Sequence, residues 1–299
     1  MLVWKGHRTK VRALAFAPNG GALASVAGDS RFVWLWEAHT GTLLRKLKNP
    51  ANAYPVRAVA FLPDGTHIAG LHERQNVSVW EVESGRLTAV LDSAHWYASE
   101  ALAVSPDGAR LLLYTPMGFK EWSDPGREDP ALRPPTRQYP VNTLAPLIGF
   151  SPRGTWFYRA SIGLTLYAAN ELTTELRTLS DPNLTVPTAV AFSADESRVC
   201  IGFGHRARVW RPHEPDAPSL HMKGHGAQVR AVGFSTDGRT VLTAAMDGSV
   251  RVWDANTGAE VRAFEWGIGK IRAAVVSPDG ALCAAGSDSG HLVVWDADN

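Results

Sequence analysis

The apolar positions fall in short runs and show no helical stripe. Val11-Arg-Ala-Leu-Ala-Phe16, Val56-Arg-Ala-Val-Ala-Phe61, Val229-Arg-Ala-Val-Gly-Phe234 and Ile271-Arg-Ala-Ala-Val-Val276 are versions of one phrase, with weaker versions closing at Val104, Phe150 and Phe192. These end points lie 42 to 46 residues apart. A second ladder, Trp36, Trp80, Trp122, Tyr167, Trp210, Trp253 and Trp295, keeps the same period. Two independent series with one spacing mark an internal repeat of seven units. Runs such as Ala22 to Val26, Val241 to Ala245 and Val250 to Trp253 are rich in β-branched and aromatic residues and too short for helices, so they predict strands. Pro63-Asp-Gly65, Pro106-Asp-Gly108 and Pro278-Asp-Gly280 separate the first and second runs of their units. Proline presets φ and glycine accepts a positive one, which is hairpin chemistry. Thr40-Gly41, Ser84-Gly85 and Thr257-Gly258 punctuate the units again after each tryptophan. Each unit therefore reads as a four-stranded antiparallel sheet.

With Gly6-His7, Gly224-His225, Trp253-Asp254 and Trp295-Asp296 added, the pattern resembles the WD-repeat β-propellers over essentially the whole chain. The resemblance implies an all-β, seven-bladed propeller as a single domain, 1–299. The blade cores are placed at 8–48, 52–92, 95–138, 141–180, 184–223, 226–265, and 268–299 completed by 1–7. It also implies a hydrogen-bonded network of His, Ser/Thr, Asp and Trp within a blade. Blade six matches at His225, Thr243, Asp247 and Trp253; blade one matches at His7, Ser25, Asp29 and Trp36, with one extra residue between the last two. Met1-Leu-Val-Trp-Lys5 aligns with Val261-Arg-Ala-Phe-Glu265, so the leading segment is expected to be the outer strand of the seventh blade, sealing the ring. Between Trp122 and Ala145, Pro125, Pro130, Pro134, Pro135 and Pro140 cannot donate ladder hydrogen bonds, and the outer strand of blade three should be short or irregular.

Composition narrows the function. The 299 residues carry 30 Lys+Arg against 29 Asp+Glu, a net charge of +1, with 45% hydrophobic and 20% charged residues, a globular balance. Near-neutrality argues against a long nucleic acid or an anionic membrane as main partner. Cys200 and Cys283 cannot make a disulfide framework, and no Cys/His spacing suits zinc, so a reducing, cytoplasmic setting is expected. No run reaches 18 apolar residues, and Met1 to His7 contain no apolar leader core. Gly267-Ile-Gly-Lys270 lacks phosphate-loop spacing, His72-Glu73 lacks a second histidine four residues on, and no serine sits in a nucleophile elbow. His221 and His225 are four apart, but in a strand end and loop where the pair does not share a helical face. No catalytic residue, metal or cofactor is expected, and the chain reads as a non-enzyme.

A binding signal lies at the leading ends of the first strands, which should line the central channel. The residue after the first apolar position reads Arg12, Arg57, Glu100, Pro146, Thr188, Arg230 and Arg272 around the ring. Blades six, seven, one and two are adjacent on a closed circle, so four arginines form one arc, and Lys10 and Lys270 precede two of them. Planar guanidinium forks suit carboxylates or phosphates. Tyr54, Trp96, Tyr97 and Trp266 are candidate aromatic anchors near that rim. In WD-repeat proteins these positions often contact partners. Pairing of the arc with Asp29, Asp247 or Asp288 would instead make it a structural charge belt. The expected function is a protein-interaction scaffold, a monomer by default, docking an acidic or phosphorylated peptide or protein. Nucleic-acid binding by the same arc is one alternative, distinguished by a steep salt dependence. A propeller enzyme with a site at the channel mouth is the other, and it would need a convergent acid/base pair or metal.

Overall fold

The computed structural model describes residues 1–28, 30–48, 54–73, 76–92, 101–115, 118–140, 147–179, 185–214 and 217–297. Every regular element among them is a strand. The strands form seven sheets, and the first strands of successive sheets pack against one another in an unbroken circle that returns from blade seven to blade one. This is the predicted propeller. In blade one the order is Val11–Phe16, Ala22–Ala27, Phe32–Glu37 and Leu43–Lys48, all antiparallel, with Val11–Phe16 innermost.

The repeat folds this way because each sheet buries both faces against its neighbours. Ala24, Val26, Val33 and Leu35 of blade one share a core with Val56, Ile68 and Trp80 of blade two. The ladder aromatics fill these layers, and Trp210, the most exposed of the seven, is only 7% exposed. The Pro-Asp-Gly turns behave as expected, with φ of +70° at Gly65 and +68° at Gly280, a region that other residues enter at a steric cost. Near the channel the seam between blades seven and one is tight: a Cβ on Gly286 would fall 2.5 Å from Cγ1 of Val11.

The ring closes as predicted. Leu2–Lys5 pairs antiparallel with His291–Asp296, Leu2 opposite Val294 and Lys5 opposite His291, completing blade seven. His7 N–H then donates to the Gly290 carbonyl at 3.0 Å. Blade three has the expected short outer strand, the three residues Arg137–Tyr139. The proline-rich segment before it does more than loop out. Asp129–Arg133 crosses to the neighbouring blade and pairs in parallel with Leu87–Leu91, giving blade two a fifth strand. The Asp92 N–H and the Trp122 indole N–H both donate to the Arg133 carbonyl, at 2.7 and 3.1 Å, and Arg86 pairs with Glu128. These bonds tie the crossing to both blades.

Candidate functional site at the channel mouth

Two levels of structure hold the mouth in place. The deeper one is the buried polar network. In blade six the Trp253 indole N–H donates to the Thr243 hydroxyl at 2.8 Å, that hydroxyl meets Nε2 of His225 at 2.7 Å, and Nδ1 of His225 meets Asp247 at 3.0 Å. The simplest assignment has Thr243 donating to a neutral ring whose Nδ1–H donates to the carboxylate, so each partner's needs are met. Burial pushes the Asp247 carboxyl up, but the backbone N–H and hydroxyl of Ser249, the Gly226 N–H and His225 outweigh it and bring it to about 2. Blade one repeats the chain: Trp36 N–H donates to Ser25 at 2.7 Å, and Ser25 meets Nε2 of His7 at 2.7 Å. Asp29, the fourth expected member, lies outside the described residues. Blade seven has Ala285 where blade six has Thr243, and the buried Trp295 N–H there finds no partner among the described residues.

The second level is the backbone at the mouth. In blades one, two, five, six and seven the ladder between the first and second strands slips by one residue just after the first strand begins: between Val11 and Ala13, Val56 and Ala58, Pro187 and Ala189, Val229 and Ala231, Ile271 and Ala273. The skipped residues are Arg12, Arg57, Thr188, Arg230 and Arg272. A β-bulge leaves its extra residue out of the pairing and re-aims the side chain. The arginine arc is therefore set by a recurrent bulge. Sequence reading found the positions but not the device, because a one-residue slip leaves no mark in composition. Glu100, Pro146, Trp96 and Tyr97 lie outside the described residues.

The four arginines differ in what they meet. Arg57 pairs with Glu73, which sits in the turn after the second strand of its own blade. Arg230 is exposed, with a 3.3 Å contact to Gln228, and surrounding protein followed by the like charge of Arg272 lowers its pKa from the usual value. Among the described residues Arg272 reaches the Met246 sulfur alone, at 3.9 Å. Among the described residues the buried Nε atoms of Arg12 and Arg272 have no hydrogen-bond partner, and no carboxylate pairs with Arg12, Arg230 or Arg272. Asp247 is committed to its network, and Asp288 accepts the Lys270 backbone N–H at 3.0 Å. Among the described residues a charge belt thus exists in blade two alone, through Glu73; Asp29 lies outside them. Below Arg230 the channel wall is apolar, formed by Ala189, Val190, Ala231, Val232, Ala274 and Val275. Low-dielectric walls focus the field of the charges above them.

The lysine chains of Lys10 and Lys270 are exposed beside the arc. Tyr54 is half-buried, with its carbonyl 3.4 Å from Nδ1 of His72. Trp266 is packed between blades, its ring 5.8 Å from that of Phe264 and 4.7 Å from that of Trp295. Among the described residues no three His, Cys, Asp or Glu side chains are placed to hold a metal, and no helix is long and apolar enough to cross a membrane.

Seven radially packed antiparallel sheets around a channel define a β-propeller. Residues 1–37, 217–254 and 263–296 match the family described as WD domain, G-beta repeat, so three stretches of this seven-bladed propeller are similar to WD repeats. It is 26% identical over 292 residues to WD repeat-containing protein 18 of Rattus norvegicus, covering 88% of this chain and 64% of that protein. It is 24% identical over 262 residues to Pre-mRNA-processing factor 17 of Homo sapiens, covering 83% of this chain and 43% of that protein. An uncharacterized WD repeat-containing protein of Synechocystis sp. is 39% identical over 61 residues, covering 20% of this chain and 17% of that protein. The chain spans less than two thirds of the length of each of these relatives. Propellers of this family typically serve as protein-interaction scaffolds.

Proposed function

We propose that this propeller is a non-enzymatic docking platform whose channel mouth holds an acidic or phosphorylated segment of a protein partner. The observation that carries the reading is the coincidence of bulge and charge. Four adjacent blades present arginine at the position where the ladder between the first and second strands slips, and three of those arginines have no carboxylate partner among the described residues. Like charges gathered above an apolar channel repel one another, and an anionic ligand relieves that repulsion. Lys10 and Lys270 add flexible charge at the rim, and Arg57, already paired with Glu73, contributes least.

Affinity purification with crosslinking, comparing the wild-type chain with the double variant Arg12→Glu/Arg272→Glu, tests this reading. Crosslinks to the partner should map to the mouth in the wild type and be lost in the variant, with the melting temperature unchanged. Retention of the same partners and crosslinks by a folded variant would remove the arc from the function.

A further inference from the structure

Outward from the mouth, the top of blade one carries a second basic feature that the arc does not include. A cleft runs between the end of the strand that closes the ring and the third and fourth strands of blade one. It is lined by Lys5, His7, Arg8, Ser30, Trp34 and Lys46, together with small neighbours. Lys5, Arg8 and Lys46 are exposed, and none of them has an ion pair among the described residues. His7 is neutral near pH 7, because burial lowers it to about 4. The described lining carries three positive charges and no acid, Asp29 between Ala27 and Ser30 lying outside the described residues. Its floor is rigid: Trp34 stacks on Trp36 with centroids 5.6 Å apart, and the edge of His7 meets Trp34 at 5.1 Å. The Lys46 ammonium stands 3.9 Å from the Trp34 ring centroid, a cation–π contact that holds the charge over an aromatic surface.

The cleft is continuous with the mouth. Thr9 belongs to its lining, and Lys10, Val11 and Arg12 follow directly in the chain. Lys46 on the fourth strand is level with Leu14 on the first, so Arg12 lies three strand spacings across the sheet and two residues along it, or about 16 Å away. An extended peptide covers that distance in about four to five residues.

We infer that the acidic segment held at the mouth continues outward into this cleft, so that the partner's motif carries two acidic clusters about four to five residues apart. The inner cluster meets Arg12 and Arg272, the outer one meets Lys5, Arg8 and Lys46, and the chain between them crosses Thr9 and Trp34. Charge complementarity selects an acidic protein segment as the occupant. The inference rests on the mouth reading above, and the experiment separates the two.

Fluorescence anisotropy at about 0.15 M salt, where charges more than about 8 Å apart are largely screened, would compare two labelled peptides of identical composition. One carries two Glu-Glu pairs separated by four Gly/Ser residues; the other carries the same four glutamates contiguously. The spaced peptide should bind about fivefold to tenfold more tightly, because its second contact is intramolecular once the first has formed. Arg8→Glu/Lys46→Glu should erase that advantage while leaving the contiguous peptide's affinity and the melting temperature in place. Arg12→Glu/Arg272→Glu should weaken both peptides. Equal binding of the two peptides, with the arc variant still weakening both, would overturn the cleft and leave the mouth. No effect of the arc variant on either peptide would overturn the mouth reading and the cleft with it. A single-stranded oligonucleotide of equal charge that outcompetes the spaced peptide and depends on Arg8 and Lys46 would overturn the acidic protein segment as occupant.

Discussion

Three buried imidazoles illustrate how single residues set the conditions under which this ring is stable. His7 and His72 are each lowered to about 4, by burial in both cases, against which the Tyr54 carbonyl acts at His72. His225 is lowered too, by burial that Asp247 only partly offsets. An unfolded chain takes up protons on all three rings as pH falls below about 6.5, while the folded chain refuses them on His7 and His72 until about pH 4. Their contribution is therefore fully present above about pH 6.5 and is lost progressively down to about pH 4, on the order of 3 kcal/mol for each ring lowered to about 4. Asp247, held at about 2, adds a separate loss only below about pH 4. Urea unfolding at pH 7.5, 5.5 and 4.5 should show stability falling across the series, and His72→Gln should flatten the fall. Equal stability at pH 7.5 and 4.5 would contradict this assignment. At this scale much was legible in the sequence: the blade-six tetrad and three members of the blade-one set stand where the motif spacing placed them. Arg57–Glu73 was not legible, because its acid comes from a turn 16 residues away whose direction only the folded sheet defines.

Individual strands carry the next level of the account. The closing strand Leu2–Lys5 was readable because Met1-Leu-Val-Trp-Lys5 aligns with the outer-strand phrase Val261-Arg-Ala-Phe-Glu265. The crossing of Asp129–Arg133 was not, since parallel pairing onto a neighbouring blade's edge has no local signature and the prolines signalled only that regular pairing would fail. Prolines are tolerated at such an edge because one side of the strand needs no donors. Covering the blade-two edge also removes an exposed template for strand addition. Deleting residues 1–7 removes the outer strand of blade seven, leaves His291–Asp296 as a bare edge, and strips Ser25 of its His7 partner. The expected outcome is a melting temperature lower by about 5–15 °C, at about 2–4 °C per kcal/mol for a domain somewhat smaller than this one, with aggregation on heating. An unchanged melting curve by calorimetry would show that the ring does not depend on this seam.

For the whole molecule, the fold serves as a frame that brings residues far apart in sequence to one rim. Arg12 and Arg272 are separated by almost the entire chain, yet blades one and seven are neighbours. That juxtaposition could be read from the period alone, because a closed ring of seven units makes the last unit adjacent to the first. The bulge and the differing surroundings of the four guanidinium groups depend on ladder register and on turns packed from the side, which a repeat pattern does not encode. The most direct test of the account is a hydrogen–deuterium exchange footprint of the intact chain with and without a saturating poly-glutamate peptide. The bulged segments 11–13, 56–58, 229–231 and 271–273 should become protected, while the outer strands Glu171–Leu179 and Glu260–Glu265 keep their exchange rates. Protection confined to outer strands, or none at saturation, would contradict a binding mouth.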